Sequence, residues 1–252
     1  MNVYVKSEII KTKRTNVRKM VLVIPLLCSF IAIAFGFLGG PDILRFSVET
    51  IINHWGILWL SVFIALTAGL LDNLEKKSTR FKTIIGSPID LKKKEMSRVL
   101  FLSWLAFLAS VCLIVIISIA SLLIQTSPYL VSLLSCTLAV LLTLITSLWQ
   151  IPFCLWLSRK TNLFLTLLIN CMLNLNLGTL YAPTEHWWLV PWAWPLRLEM
   201  PLTHLHSNGI PLPENSGLLS NSVIPIAIVL SLLFFCFITF LTSKSFEKQE
   251  VK

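Results

Sequence analysis

The chain has 252 residues, 56% of them hydrophobic and only 13% charged, with a mean hydropathy of +0.80 and a formal charge of +9. Soluble domains carry about twice that share of charged residues, so this composition cannot coat a globular domain with a polar surface. Runs of ~18 or more apolar residues recur, and each is most economically a membrane-spanning helix. An all-α integral membrane protein is expected.

The first element is a basic segment, residues 1–19, followed by an apolar run over 20–38. That run is long and ends in Gly-Gly-Pro instead of a small-x-small site, so it is expected to be a retained span and not a signal peptide. Further spans are predicted over 55–71, 99–124, 130–157, 163–181 and 223–242, six in all. No charged residue occurs from Val99 to Ser158, and QTSPY (125–129) marks a short turn between the third and fourth spans. Gln150 and Pro152 predict a kink in the fourth span, with the freed backbone groups satisfied locally.

Charge orients the bundle. Nineteen of the 21 basic residues fall in the N-terminal segment, the 72–98 loop, the Arg159-Lys160 turn and the C-terminal tail, leaving Arg45 and Arg197 on the other side. The positive-inside rule makes the crowded side cytoplasmic, with both termini there. The net charge then reflects topology and attraction to anionic headgroups, and is no sign of nucleic-acid binding. All six cysteines lie inside apolar runs without a CxxC pair and read as packing residues. His204 and His206 with Glu199 make an H-x-H pattern on a loop without a third fixed ligand, too weak to assign a metal.

Two segments outside the spans carry information. In the 72–98 loop, Leu74, Phe81, Ile84 and Ile85 fall on one helical arc. Gly86 stands where a helix ends, and Ser87, Pro88 and Asp90 form a capping-box arrangement for a second helix that runs into span three. An amphipathic helix lying on lipid and one docking on a partner protein fit this pattern equally. The other segment is external, residues 182–222. It contains EHWWLVPWAWP (185–195), with four tryptophans and two prolines in eleven residues. Tryptophan favours the membrane–water interface, and Pro183, Pro191, Pro195 and Pro201 predict short pieces at the outer leaflet surface. An aromatic belt and a docking surface for an amphipathic ligand both remain open. Inside span five, Asn170 and Asn174 share a face, as partners for a neighbouring helix or as the lining of a path. No predicted span has a charged residue in its interior, which argues against a proton-coupled carrier.

The basic N-terminus, six spans and the loop pattern E-x4-RFK-x2-I-x-SP-I-D-L together resemble an ABC-2 type ABC-transporter permease. The resemblance implies that Glu75, Phe81, Lys82 and Ile85, alongside Leu74 and Ile84, form a coupling helix that docks on an ATPase. The chain has no GxxxxGK[ST] phosphate loop, so ATP and Mg would be bound by that separate subunit and this chain would be no enzyme itself. The external W-x2-P-x3-P run followed by HSNGIPL resembles, more narrowly, the lantibiotic-immunity permeases, departing at Ser207 where that group carries a proline. This implies two ATPase copies, a second homologous permease, and expulsion of a lantibiotic peptide from the plasma membrane of a Gram-positive bacterium. Trp187, Trp188, Trp192, Trp194, Glu185 and Glu199 would then contact the cationic, amphipathic peptide. Export of another drug or lipid, and passive sequestration of a peptide, are the alternatives. An intramembrane protease lacks its GxSG, HExxH or paired-aspartate signature.

Overall fold

The computed structural model describes residues 2–40, 44, 46–79, 90–123 and 132–248. Among these the chain is helical throughout, its one β-feature an isolated bridge between Leu205 and Pro211. Helix α1 is Asn2–Lys11, and α2 is Asn16–Gly39. Helix α3 runs as Ser47–His54, a π-helical turn Trp55–Trp59, and Leu60–Thr79. Helix α4 is Leu91–Leu123, α5 is Leu133–Ser147, and α6 is Gln150–Lys160. Helix α7 runs as Leu163–Leu173, a second π turn Asn174–Gly178, and Thr179–Tyr181. A short α8, Ala193–Thr203, precedes α9, Val223–Glu247.

Among the described residues, five helices are long and apolar enough to cross a membrane, and up to six spans result if the bent pair α5–α6 is one span. The pair bends by 45°. Pro152 sits in the first turn of α6 and cannot donate a hydrogen bond backwards, so the ladder breaks at Leu148 and Trp149. Bonds of 3-10 type span the break, and the Gln150 side chain beside it accepts from Ser61 Oγ at 2.8 Å and Asn170 Nδ2 at 2.9 Å, tying the bend to α3 and α7.

Helix α2 packs on α4, α3 lies between α6 and α7, and α9 closes the bundle against α4, α5 and α6. One buried cluster of Leu, Ile, Phe and Ala fills the centre, with Phe63, Ile64, Leu102 and Leu113 fully enclosed. Outward faces carry exposed Leu, Phe and Val, the reverse of a soluble bundle.

Two sequence expectations change here, and one element is added. The N-terminal segment is a helix, α1, packed along the first turns of α4. The second span begins earlier than residue 55, at Ser47, and buries Glu49 in its first turn. Helix α4 starts at Leu91, with Asp90 Oδ1 accepting from the Lys93 N–H at 3.0 Å, so Asp90 is the cap and not the third helical residue. Phe81, Lys82, Ile84, Ile85, Gly86, Ser87 and Pro88, and the QTSPY turn, lie outside the described residues.

Candidate functional site

Two polar centres stand out inside this apolar bundle. The first is built around α8. Ten of its eleven residues are buried, packed against α5, α9 and both π turns. A segment expected to lie in pieces on the surface is instead a helix inserted into the bundle. The prolines permit it because Pro195 lies in the first turn, where backbone N–H groups have no helical partner, and Pro201 lies in the last. His204, in the left-handed conformation (φ 57°), ends the helix.

Glu199 is the polar head of α8. It is 1% exposed, and its Oε1 accepts from Thr143 Oγ1 of α5 at 2.7 Å. Thr143 lies ten residues into α5 and Gly56 nine residues into α3. At 1.5 Å per residue each is about 15 Å below its helix start, so Glu199 reaches the middle of the bundle. It fits only because position 56 is glycine: a β-carbon there would overlap the carboxylate. Gly178 has the same role for the α8 backbone, since a β-carbon at that position would lie 2.9 Å from the Trp192 carbonyl oxygen.

The two π turns face each other across this centre. Asn174 Nδ2 donates to the Gly56 carbonyl at 2.9 Å and to that of Ile57. One turn and a bit further, Asn170 Nδ2 donates to the Ser61 carbonyl at 3.2 Å. Both asparagines are fully buried and both grip α3, the packing role that small polar residues take between membrane helices. Among the described residues, Glu199 Oε2, Asn174 Oδ1 and Asn170 Oδ1 have no hydrogen-bonding partner. Single π turns recur where helices serve function, because the extra residue frees backbone carbonyls for another donor.

The tryptophans divide. Trp188 is 50% exposed and Glu185 is exposed, whereas Trp187 and Trp194 are buried and Trp192 is half-buried. Trp194 Nε1 donates to the Trp188 carbonyl at 3.0 Å, holding the 3-10 turn Trp187–Leu189 over α8. Trp192 meets Trp149, at the α5–α6 bend, edge-to-face at 4.9 Å, and Phe234 of α9 joins Trp149 at 5.3 Å and Trp194 at 5.7 Å. Four tryptophans expected on one surface therefore serve two purposes, and Trp149 and Phe234 complete the cluster. Trp194→Ala is expected to cost about 3–5 kcal/mol of stability, as for other buried aromatics, and Trp188→Ala less than about 1 kcal/mol. Melting midpoints of the two variants in detergent check this, and equal losses would count against the division. Ser207 is buried, and its hydroxyl donates to the Thr179 carbonyl at 3.0 Å, tying the loop after α8 to the end of α7, a bond no proline could make.

The second centre lies at the opposite, basic end. Arg98 of α4 is 1% exposed and pairs with Asp72 of α3 and, at 3.4 Å, with Glu95. Asp72 also accepts from Ser158 Oγ of α6. Glu95 pairs with Arg159, whose guanidinium lies 4.1 Å over the Phe246 ring of α9. Glu8 of α1 pairs with Lys94 and, at 3.0 Å, with Lys11, which also holds Glu75. Lys76 Nζ donates to the Ser158 carbonyl at 2.7 Å. Burial alone would raise the Glu8 carboxyl, but Arg98, Lys11 and Lys94 outweigh it and hold the group below the usual glutamate range. Four helices, α1, α3, α4 and α6, are thus joined by charge-assisted bonds, and α9 by the cation–π contact.

Of the residues expected to couple to a partner, Leu74 is half-buried against the core and Glu75 is held by Lys11 within the chain. Sequence reasoning missed Glu8, Asp72, Glu95, Arg98 and Arg159 as a set, although Glu95 and Arg98 are three apart on one helix face. No family model, curated protein or solved structure matches this chain.

Proposed function

We propose that this chain is the membrane-spanning subunit of an ATP-driven exporter, anchored by six spans with both termini in the cytoplasm. A separate ATPase would dock on the segment between α3 and α4. The observation that carries this is the buried ion-pair lattice gripping both flanks of that segment. A loop that only rests on lipid has no use for such an anchorage. Because Asp72 and Glu75 precede the segment and Lys94, Glu95 and Arg98 follow it, a push there is delivered to α1, α3, α4 and α6 together.

At the other end, α8 is the element with somewhere to go. It is short, it carries Glu199 into the bundle, and it is joined to the exposed Trp188 and Glu185 by the 3-10 turn. Substrate in this reading is a cationic, amphipathic peptide of the lantibiotic class, met by Trp188 and Glu185 at the outer leaflet and expelled as α8 shifts. Glu199 becomes part of the binding surface only in the shifted state.

The test is survival of a lantibiotic-sensitive Gram-positive strain that expresses this chain with its neighbouring ATPase and second permease. Protection is expected, and it should vanish when the ATPase phosphate-loop lysine is mutated. Protection that persists in that mutant points to passive sequestration. Absence of protection against every lantibiotic tried removes the peptide reading and leaves export of another substrate.

A further inference from the structure

We propose that the groove between α4 and α9 at the basic end of the bundle is a binding site for one anionic phospholipid. The groove holds about 420 Å³ and is walled by Val99 and Leu100 of α4 and Phe235 and Phe240 of α9, with Ser243 and Lys92 towards its polar end. From Phe235 to Ser243 it runs ~12 Å along α9, the length of part of one acyl chain.

Three features distinguish it from ordinary lipid-facing surface. Its polar end is basic: Lys92 lies at the rim, with Lys93 beside it, and Lys244 and Lys248 are exposed on the adjoining turns of α9, against the carboxylates of Asp90 and Glu247 among the described residues. The Lys92–Glu247 pair, 3.0 Å apart and about half exposed on both sides, bridges the mouth without neutralising it. The hydroxyls of Thr239 and Ser243, which line the groove, have no hydrogen-bonding partner among the described residues. Helical serines ordinarily bond the carbonyl four residues back, as Ser103 and Ser118 of α4 do at 2.9 and 2.8 Å. One rotamer step turns either hydroxyl towards a glycerol ester oxygen.

A neighbouring groove supplies the contrast. Between α6 and α9, Phe153, Trp156, Ile238 and Leu241 wall about 360 Å³ with no charged residue in the lining. That site suits any acyl chain, whereas the α4–α9 groove adds a place for a phosphate and a surplus of positive charge that disfavours zwitterionic headgroups. A helix from a second copy is a poorer fit, because a crossing helix would pack along much of α9 and the groove covers only residues 235–243.

The proposal rests on the membrane reading but not on the exporter reading, and its test needs no ATPase. The purified full chain is exposed to equal amounts of phosphatidylglycerol and phosphatidylcholine in mixed micelles, and retained lipid is counted by native mass spectrometry. One phosphatidylglycerol is expected to be retained with about tenfold preference. Leu100→Trp, which fills the groove, should abolish it, Lys92→Gln should reduce the preference, and Ile238→Trp in the neighbouring groove should leave it unchanged. In the wild-type chain, a diazirine-bearing phosphatidylglycerol should crosslink to peptides containing residues 96–100 and 235–243. Equal retention of both lipids, a preference that survives Leu100→Trp, or labelling confined to peptides outside this groove would each overturn the proposal. Failure of the chain to enter vesicles at all would instead remove the membrane reading.

Discussion

Arg98→Met is expected to lower the stability of the bundle by about 3–5 kcal/mol, the cost of leaving buried carboxylates without their cation. Asp72 would lose its cation and Glu95 one of its two, Arg159 remaining, and both are fully buried between α3, α4 and α6. Arg98→Lys should rescue little, since a single ammonium cannot serve two carboxylates in the way a planar guanidinium does. Arg98→Met with Asp72→Asn should recover part of the loss, because one of the stranded charges is then gone. Cys28, Cys136 and Cys154 are buried, so a thiol-reactive dye reports unfolding as they become accessible. The midpoint should fall by roughly 10 °C in a chain of this size. An unchanged midpoint would show that the ion-pair lattice contributes nothing to the fold, and the coupling reading would go with it.

The second large effect is expected at Gly56. Gly56→Ala places a β-carbon in the volume of the Glu199 carboxylate, while Asn174 holds the backbone of the π turn from the other side. Either α8 retreats or the two turns separate, with a loss of about 1–3 kcal/mol typical of overpacking. Glu199→Ala in the same chain should restore most of it, giving a coupling energy above about 1 kcal/mol in a double-mutant cycle. Additive losses would mean that the two positions do not meet. Glu199→Gln keeps the shape and removes the ionisable carboxyl. It should leave the melting midpoint near wild type and reduce protection in the survival assay if the carboxylate serves the substrate.

Much of this was legible from the amino acids. Hydropathy located the long helices because each is a run of side chains that favours hydrocarbon, and Pro152 beside Gln150 marked the bend. Asn170 and Asn174 were recognisable as a pair, since their spacing puts both on one helix face. What could not be read was partnership. Lys94, Arg98 and Arg159 counted towards a basic surface, yet they are buried against Glu8, Asp72 and Glu95, residues from distant parts of the chain. Local rules also misjudged α8. Prolines and a glutamate argue for an exposed, broken segment, and nothing in residues 193–203 says that Gly56, Thr143 and Gly178 leave room for a helix to be buried there.

That burial has a consequence for biogenesis. Helix α8 has eleven residues, only about 16 Å of rise, and it carries Arg197 and Glu199. It is too short and too polar to be released sideways into the bilayer during synthesis as a span of its own. Its seat is made by α3, α5, α7 and α9, and α9 is translated after it. The complete seat therefore exists only once α9 has been made, and α8 settles into it late. Chains in which that step fails would present to quality control a bundle with its long helices formed and its centre open.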